Sequence, residues 1–264
     1  MSLHIAVFLK QVADNTKLKF NETGPVLENV PMMLNPYDEY ALETAIRLKE
    51  SAGADASLSV ITMGTLSAKE ILKKAVAVGA DSAFLITNDA LAQSDSTANA
   101  KILAQALRSV VPNFNLLVFG QTALDSLDGQ TGQKVAELLN LPSLTFCKGA
   151  EFSNGSITAT RETERGYEVH EMSLPGALCM MKCDYELRGS NIKGVMKANK
   201  TEIPVTSLAE LGITQDQSGE AMSATKTLKT WQRPPRAEAK IIDGANPQEA
   251  VASLIGALKE AKVF

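Results

Sequence analysis

The sequence predicts an α/β fold: a mostly parallel sheet flanked by helices, with an added β-hairpin and a C-terminal arm. Three observations lead there. Short apolar or β-branched runs recur through the first two-thirds of the chain. Helical segments with their own start and stop signals separate them. The composition, 45% hydrophobic and 21% charged over 264 residues, is that of a globular chain with room for a buried core. Strands alternating with helices imply right-handed crossovers, and therefore parallel pairing.

The elements follow in order. His4–Leu9 (HIAVFL) is a short apolar run of the buried-strand type, and residues 58–62, 83–87 and 116–120 repeat it. Between the first two, Asn35-Pro36 reads as an N-cap followed by proline at the first helical position, with Asp38 and Glu39 in the first turn. Ala41, Leu42, Ala45 and Ile46 give that helix an apolar face, and Gly53 ends it. Ser67 to Glu70 has the form of a capping box, leading into Ile71, Leu72, Ala75 and Val76 with Gly79 as the stop. Ala98, Ile102, Leu103, Ala106, Leu107 and Val110 make a third helix closed by Pro112. A fourth follows residues 120–132, with Val135, Leu138 and Leu139 inward.

The pattern changes after Pro142. Residues 157–164 and 167–174, turned at Arg165-Gly166, suggest the hairpin, and 177–183 is another apolar strand. From Arg188 periodicity is weak until a helix that starts at Asn246 and Pro247, with Val251, Leu254, Ile255 and Leu258 on one face. Residues 214–235 are polar and end in Pro234-Pro235. So long an irregular stretch is rare inside a compact domain. Residues 214–264 therefore read as an arm that packs on a partner, or one that folds back on its own domain.

Composition excludes several classes. No apolar run approaches the ~20 residues of a membrane helix. The run Ile5 to Leu9 ends at Lys10, too short for a signal peptide, so a cytoplasmic or organelle-matrix address is expected. A net charge of −4 argues against a wholesale nucleic-acid binder. Three cysteines without metal spacing read as reduced structural thiols. Aromatics are only 5%, which argues against a site walled by this chain's own aromatic side chains.

Catalytic constellations are scarce. His4 sits at a strand start and His170 in a hairpin, both in structural settings. No GxSxG, HExxH, GxxxxGK[ST] or GxGxxG motif is present. The informative segment is 120–132, GQTALDSLDGQTG, which runs from a strand end into a helix. Backbone N–H groups and the helix dipole make such an entry an anion site. The plainer reading is a polar glycine loop.

Five stretches in fixed order, NPYDEYALETAIRLKE (35–50), ITMGTLSAKEILKKAVAVGAD (61–81), GQTALDSLDGQTG (120–132), RETERGYEVHEMSLPGALCM (161–180) and LRGSNIKGVMKANKTEIPV (187–205), resemble the beta subunit of electron transfer flavoprotein. The resemblance runs from residue 3 to about 212. It implies a Rossmann-like, adenine-nucleotide-hydrolase-type fold in three parts: a nucleotide-binding domain (1–186), a partner-recognition loop with its following segment (187–213) and a C-terminal arm on the alpha subunit (214–264). It implies a heterodimer with an alpha subunit that holds most of the FAD, a flavin dehydrogenase as electron donor, and a quinone reductase or similar acceptor. The beta subunit is then an electron-carrier subunit, with AMP as a structural ligand.

By that resemblance the AMP-phosphate loop falls on Asp128, Gly129, Gln130 and Thr131, led in by Gly120, Gln121, Ala123 and Asp125. The adenosine side falls on Asn35, Pro36, Tyr37, Asp38, Phe8 and Met63. Phe8 stands where some relatives have a small residue, so it either stacks on adenine or narrows the pocket. Relatives carry an aromatic residue where this chain has Asn15. A subset of the family is electron-bifurcating and binds a second FAD, reached by NADH, in place of AMP. The NPYDEYALETA and EIPV segments resemble that subset, but DSLDGQTG ends as the AMP-binding members do, and AMP is the expected ligand. The partner anchor falls on Ile192, set among Lys193, Lys197, Lys200 and Arg188, although a solvated basic loop with Ile192 tucked inward is the plainer reading. Glu162 falls where relatives contact an arginine of the mobile FAD domain. A nucleotide sensor or hydrolase on the same fold is the rival class, but hydrolases of this fold use an SGGxDS-type loop, and KQVADN (10–15) is not one.

Overall fold

A computed structural model of the chain describes residues 2–21, 24–87, 94–231, 234, 236 and 238–263. Apolar runs bounded by polar residues form the central strands: β1 (His4–Leu9), β6 (Ser57–Met63), β7 (Ser82–Thr87), β8 (Leu116–Gly120) and β12 (Gly176–Met180). Their side chains are buried on both faces, which is why they read as continuous apolar runs rather than alternations. They belong to one nine-stranded sheet with two further strands on one side, β10 (Ser156–Thr163) and β11 (Gly166–Ser173). β9 (Ser143–Ser153) lies between those two and β12, and β13 (Val205–Ser207) closes the opposite edge. The order is β11-β10-β9-β12-β8-β1-β6-β7-β13. Pairing is parallel from β9 to β13, and only the β9–β10 and β10–β11 pairings are antiparallel. The hairpin is therefore an addition to a parallel sheet, and its turn falls at Glu164-Arg165, one residue earlier than the sequence suggests.

Helices cover both faces. α1 (Pro36–Ala52) and α2 (Lys69–Val78) bury Leu42, Ile46 and Leu72 against one face. α3 (Ser96–Val110) and α4 (Thr131–Leu138) bury Ile102, Leu107 and Val135 against the other. Asp95 caps α3, accepting from the Thr97 and Ala98 amides. Gly132 lets α4 lie close to the sheet, since a Cβ there would sit 2.6 Å from Cys179 Sγ. Two short antiparallel pairs complete the start of the chain: β2 (Gln11–Ala13) with β5 (Met32–Leu34), and between them in sequence β3 (Lys19–Asn21) with β4 (Gly24–Val26).

Several expectations are corrected. The Ser67–Glu70 capping box does not form: Ser67 lies in a one-turn 3-10 helix (Leu66–Ala68), its hydroxyl donates to Gln11 Oε1, and α2 starts at Lys69. Leu138 faces out rather than in. The basic segment after Arg188 is not a loop throughout but holds α5 (Ile192–Lys200), whose cap Asn191 accepts from the Gly194 amide. α5 packs on α2, and a Cβ at Gly194 would lie 2.0 Å from the Ala77 carbonyl oxygen. All three cysteines are buried and free, and burial pushes the Cys147 and Cys179 thiols up to about 12.

The polar stretch after residue 214 begins on the domain. Ser223 Oγ accepts from the Asp95 amide, and Asp95 Oδ2 accepts from the Ala224 and Thr225 amides and the Thr225 hydroxyl. Farther on, Leu228, Trp231 and Ile241 are exposed. The last helix, α6 (Pro247–Glu260), is capped by Asn246 and turns Val251, Leu254 and Ile255 to the surface of this chain.

Candidate functional site

The sheet order sets where a ligand goes. From central β1 the chain winds one way through β6 and β7, then returns to place β8 on the other side of β1. Open parallel sheets bind ligands outside the carboxyl ends of the two strands at such a reversal. A cavity of about 500 Å³ lies there, lined by Phe8, Leu9 and Lys10 at the end of β1 and by Gly120, Gln121 and Thr122 at the end of β8. The start of α4 supplies Gly129, Gln130 and Thr131, and the start of α3 supplies Ser94, Ser96 and Asn99.

Most residues of the expected nucleotide site meet in this cavity: Phe8, Asp38, Met63, Gly120, Gln121, Ala123, Asp128, Gly129, Gln130 and Thr131. Asn35, Pro36, Tyr37 and Asp125 do not line it. Asn35 stands behind the wall, fully buried. Its Nδ2 donates to Asp38 Oδ1 and to the Thr122 carbonyl, and its Oδ1 accepts from the Leu124 amide, so it ties α1 to the loop after β8. Asp125 pairs with Lys10 at 2.8 Å on the surface.

Asp38 accepts from the Lys10 amide at 2.7 Å and is almost fully buried. Burial pushes its carboxyl up to about 7, against the hydrogen bonds from Asn35 and Lys10 that favour the ionised form. Gln121 does not offer its carbonyl to the cavity, because Oε1 accepts from the Phe146 amide at 2.7 Å. Gly129 adopts φ +61°, the left-handed turn that brings the loop into α4. The Gln130 amide is turned back onto Asp128 Oδ1, at a long 3.3 Å.

The low aromatic content argued against an aromatic wall. The structure differs: Phe8 and Phe119 stack at 4.5 Å between centroids, 3° from parallel, and both line the cavity. They are neighbours only because β1 and β8 are adjacent, which composition does not show. One face of the Phe8 ring is thus covered by Phe119 of the same chain.

The sequence reading also missed Lys134. Its ammonium crosses from α4 to the start of α3, donating to Ser96 Oγ at 2.8 Å and Thr97 Oγ1 at 2.9 Å. Ser94, Asn99 and Thr122 belong to the same cavity wall, and behind its surface Ser94 Oγ, Asn99 Oδ1 and Thr122 Oγ1 are buried with no hydrogen-bond partner among the described residues. Buried polar atoms without partners carry a cost that a polar ligand removes. Amides at a helix start, an ammonium and unpaired hydroxyl and amide groups suit a phosphorylated, hydroxyl-bearing ligand.

The family model described as the electron transfer flavoprotein domain matches residues 23–211. Subunit beta of the electron transfer flavoprotein of Thermoanaerobacterium thermosaccharolyticum is 33% identical, covering 99% of this chain and 100% of its own length. The chain belongs to the electron transfer flavoprotein beta subunit family. The corresponding subunit of Megasphaera elsdenii is 30% identical, and subunit CarD of the caffeyl-CoA reductase–Etf complex of Acetobacterium woodii is 31% identical, each covering 99% of this chain and 100% of its own length. No helix among the described residues is long and apolar enough to cross a membrane.

In this family member the segment expected to recognise a partner is only partly free. Ile192 is 81% exposed, with Val195 and Met196 exposed beside it on α5. Lys193 and Lys200 make no ion pair among the described residues. Lys197 does not point freely outward: it donates to the Ala80 carbonyl and lies 3.8 Å from Asp81. Arg188 is committed to Glu43 and Glu50 on α1, so it is an anchor and not a fourth free cation. Glu162 is exposed on the hairpin, 3.9 Å from Lys148.

Proposed function

We propose that this chain is the beta subunit of a heterodimeric electron transfer flavoprotein that holds AMP structurally and carries electrons between partner proteins. FAD, held mainly by the alpha subunit, supplies the redox chemistry when bound. This chain's residues hold the nucleotide, present a docking helix and offer the arm to the alpha subunit. The cavity at the β1/β8 reversal carries the reading: its Lys134 ammonium, the start of α4 and three unpaired polar atoms fit a nucleotide. The electron donor is a flavin dehydrogenase and the acceptor a quinone reductase or equivalent. Glu162 meets an arginine of the FAD domain and helps set its position.

The test is to co-purify the chain with its alpha partner, denature the complex and separate the released nucleotides. One FAD and one AMP per heterodimer are expected. Two FAD and no AMP would overturn the AMP reading in favour of a bifurcating subunit at which NADH reacts.

Ile192 anchors the dehydrogenase, with Lys193 and Lys200 steering it. Ile192→Ala is expected to slow electron transfer from the dehydrogenase by about ten-fold, the loss of one well-packed apolar anchor, with FAD and AMP content unchanged. Equal transfer rates in steady-state assays would remove Ile192 from that role.

A further inference from the structure

Lys134 has an unusual setting. It lies on the first turn of α4, half-buried, on the wall of the cavity. Its ammonium is held between two hydroxyls of α3, and no carboxylate lies within ion-pair distance of it among the described residues. Two of its three donors are spent on neutral acceptors, so one remains for the cavity. An anion in the cavity would complete the set with a charge-assisted hydrogen bond. On the same wall, the atoms left unpaired on Ser94, Asn99 and Thr122 are neutral and suit hydroxyl or amino groups rather than charge.

We propose that Lys134 is the specificity-determining residue of the nucleotide cavity: its ammonium, positioned by Ser96 and Thr97, reads the phosphate and so separates a nucleotide from its nucleoside. This rests on the nucleotide reading of the cavity and deepens it. The neutral groups bind the part that nucleoside and nucleotide share, and therefore do not discriminate between them. Lys134 supplies the discrimination, because a charge-assisted hydrogen bond is about twice as strong as a neutral one. Ser96 and Thr97 act through Lys134. Without their hydroxyls a long lysine side chain has many rotamers, and holding it toward the phosphate costs entropy.

The experiment uses the intact heterodimer, stripped of bound nucleotide, with AMP and adenosine as the probes in calorimetric titrations. Wild type is expected to prefer AMP. Lys134→Met is expected to lose about ten- to a hundred-fold in AMP affinity, with adenosine affinity nearly unchanged. Lys134→Arg restores most of the preference, and Ser96→Ala gives a smaller loss in AMP affinity alone. The AMP preference in wild type falls with salt, and that salt dependence is weaker in Lys134→Met. A Lys134→Met heterodimer that keeps the wild-type AMP-to-adenosine ratio, or loses both ligands equally, overturns the assignment while leaving the nucleotide site intact. Wild type that binds neither probe defeats the reading of the cavity and the role of Lys134 together. Flavin content and unfolding midpoint, measured on each variant, separate a binding loss from a folding defect.

Discussion

Gly120→Ala is expected to unfold the nucleotide end of the domain and to empty its cavity. Gly120 ends β8, where the chain passes the first turn of α1. A Cβ at this position would lie 2.3 Å from Asp38 Oδ1, 2.7 Å from the Tyr37 carbonyl carbon and 2.8 Å from the Asp38 amide nitrogen. Two of those three atoms are backbone, so no side-chain rotation makes room. Nor can Asp38 retreat, because the Lys10 amide and Asn35 Nδ2 hold its two oxygens, and Asn35 also grips the Thr122 carbonyl and the Leu124 amide. A single methyl therefore displaces α1 and the loop after β8 together. Overpacking of a close-packed site costs about 1–3 kcal/mol and more where backbone must move, so a loss of about 3 kcal/mol is expected. Denaturant unfolding of the heterodimer, with AMP content read on the same samples, checks this. Gly149→Ala is the matched control: a Cβ there meets nothing within 4 Å, and its effect should stay within about 0.5 kcal/mol. If the two variants unfold at the same midpoint and both retain AMP, the close approach at Gly120 does not matter to the fold.

What the sequence made legible follows from where each signal resides. His4–Leu9 and Leu116–Gly120 declare themselves because strands buried on both faces are apolar throughout. α1 does so because Asn35, Pro36 and Gly53 mark its ends. β9 is hidden because its alternation is broken: Phe146 adopts φ +57°, and the pairing register with β12 slips beside it. α5 is hidden for another reason. It is only nine residues long, with Gly194 in its first turn, so the helical spacing of Ile192, Val195 and Met196 is too short a run to declare itself. Within the site, the loop 120–132 was readable because its chemistry is local. Lys134 was not, since on a helix surface it reads as one more solvated charge. Only the packing of α3 against α4 brings it to Ser96 and Thr97. Asp95 shows the same limit: its cap on α3 is local, whereas its grip on Ala224 and Thr225 spans the chain.

Arg188→Met is expected to destabilise the fold by about 2 kcal/mol at neutral pH and to loosen the docking helix. Glu43 is 1% exposed, in the middle of α1. Its oxygens accept from the Arg188 amide, from Arg188 Nε and Nη2, and from Arg47 Nε. Arg188 also reaches Glu50 on the next turns of α1, and Arg47 lies over the Tyr185 ring at 4.1 Å. The segment leading into α5 is thus pinned to α1 through these charges. Removing one partner of a fully buried pair costs about 3–5 kcal/mol. Here Arg47 remains and the Arg188 side chain is 35% exposed, so solvent screening lowers the figure to about 2 kcal/mol. Burial alone would raise the Glu43 carboxyl. The hydrogen bonds from Arg188 and Arg47 outweigh it and hold Glu43 below the usual carboxylate range, and Arg188 does the same for Glu50. A carboxyl depressed in the folded state contributes stability that is present above its unfolded pKa, about 4.3 for glutamate, and lost as pH falls through the folded value. The gap between wild type and Arg188→Met is therefore widest at neutral pH and closes under acid. A gap that stays constant down to about pH 3 would show that Arg188 acts through packing and not through charge. The double variant Glu43→Gln with Arg188→Met should recover part of the loss, because no unpaired carboxylate is then left buried.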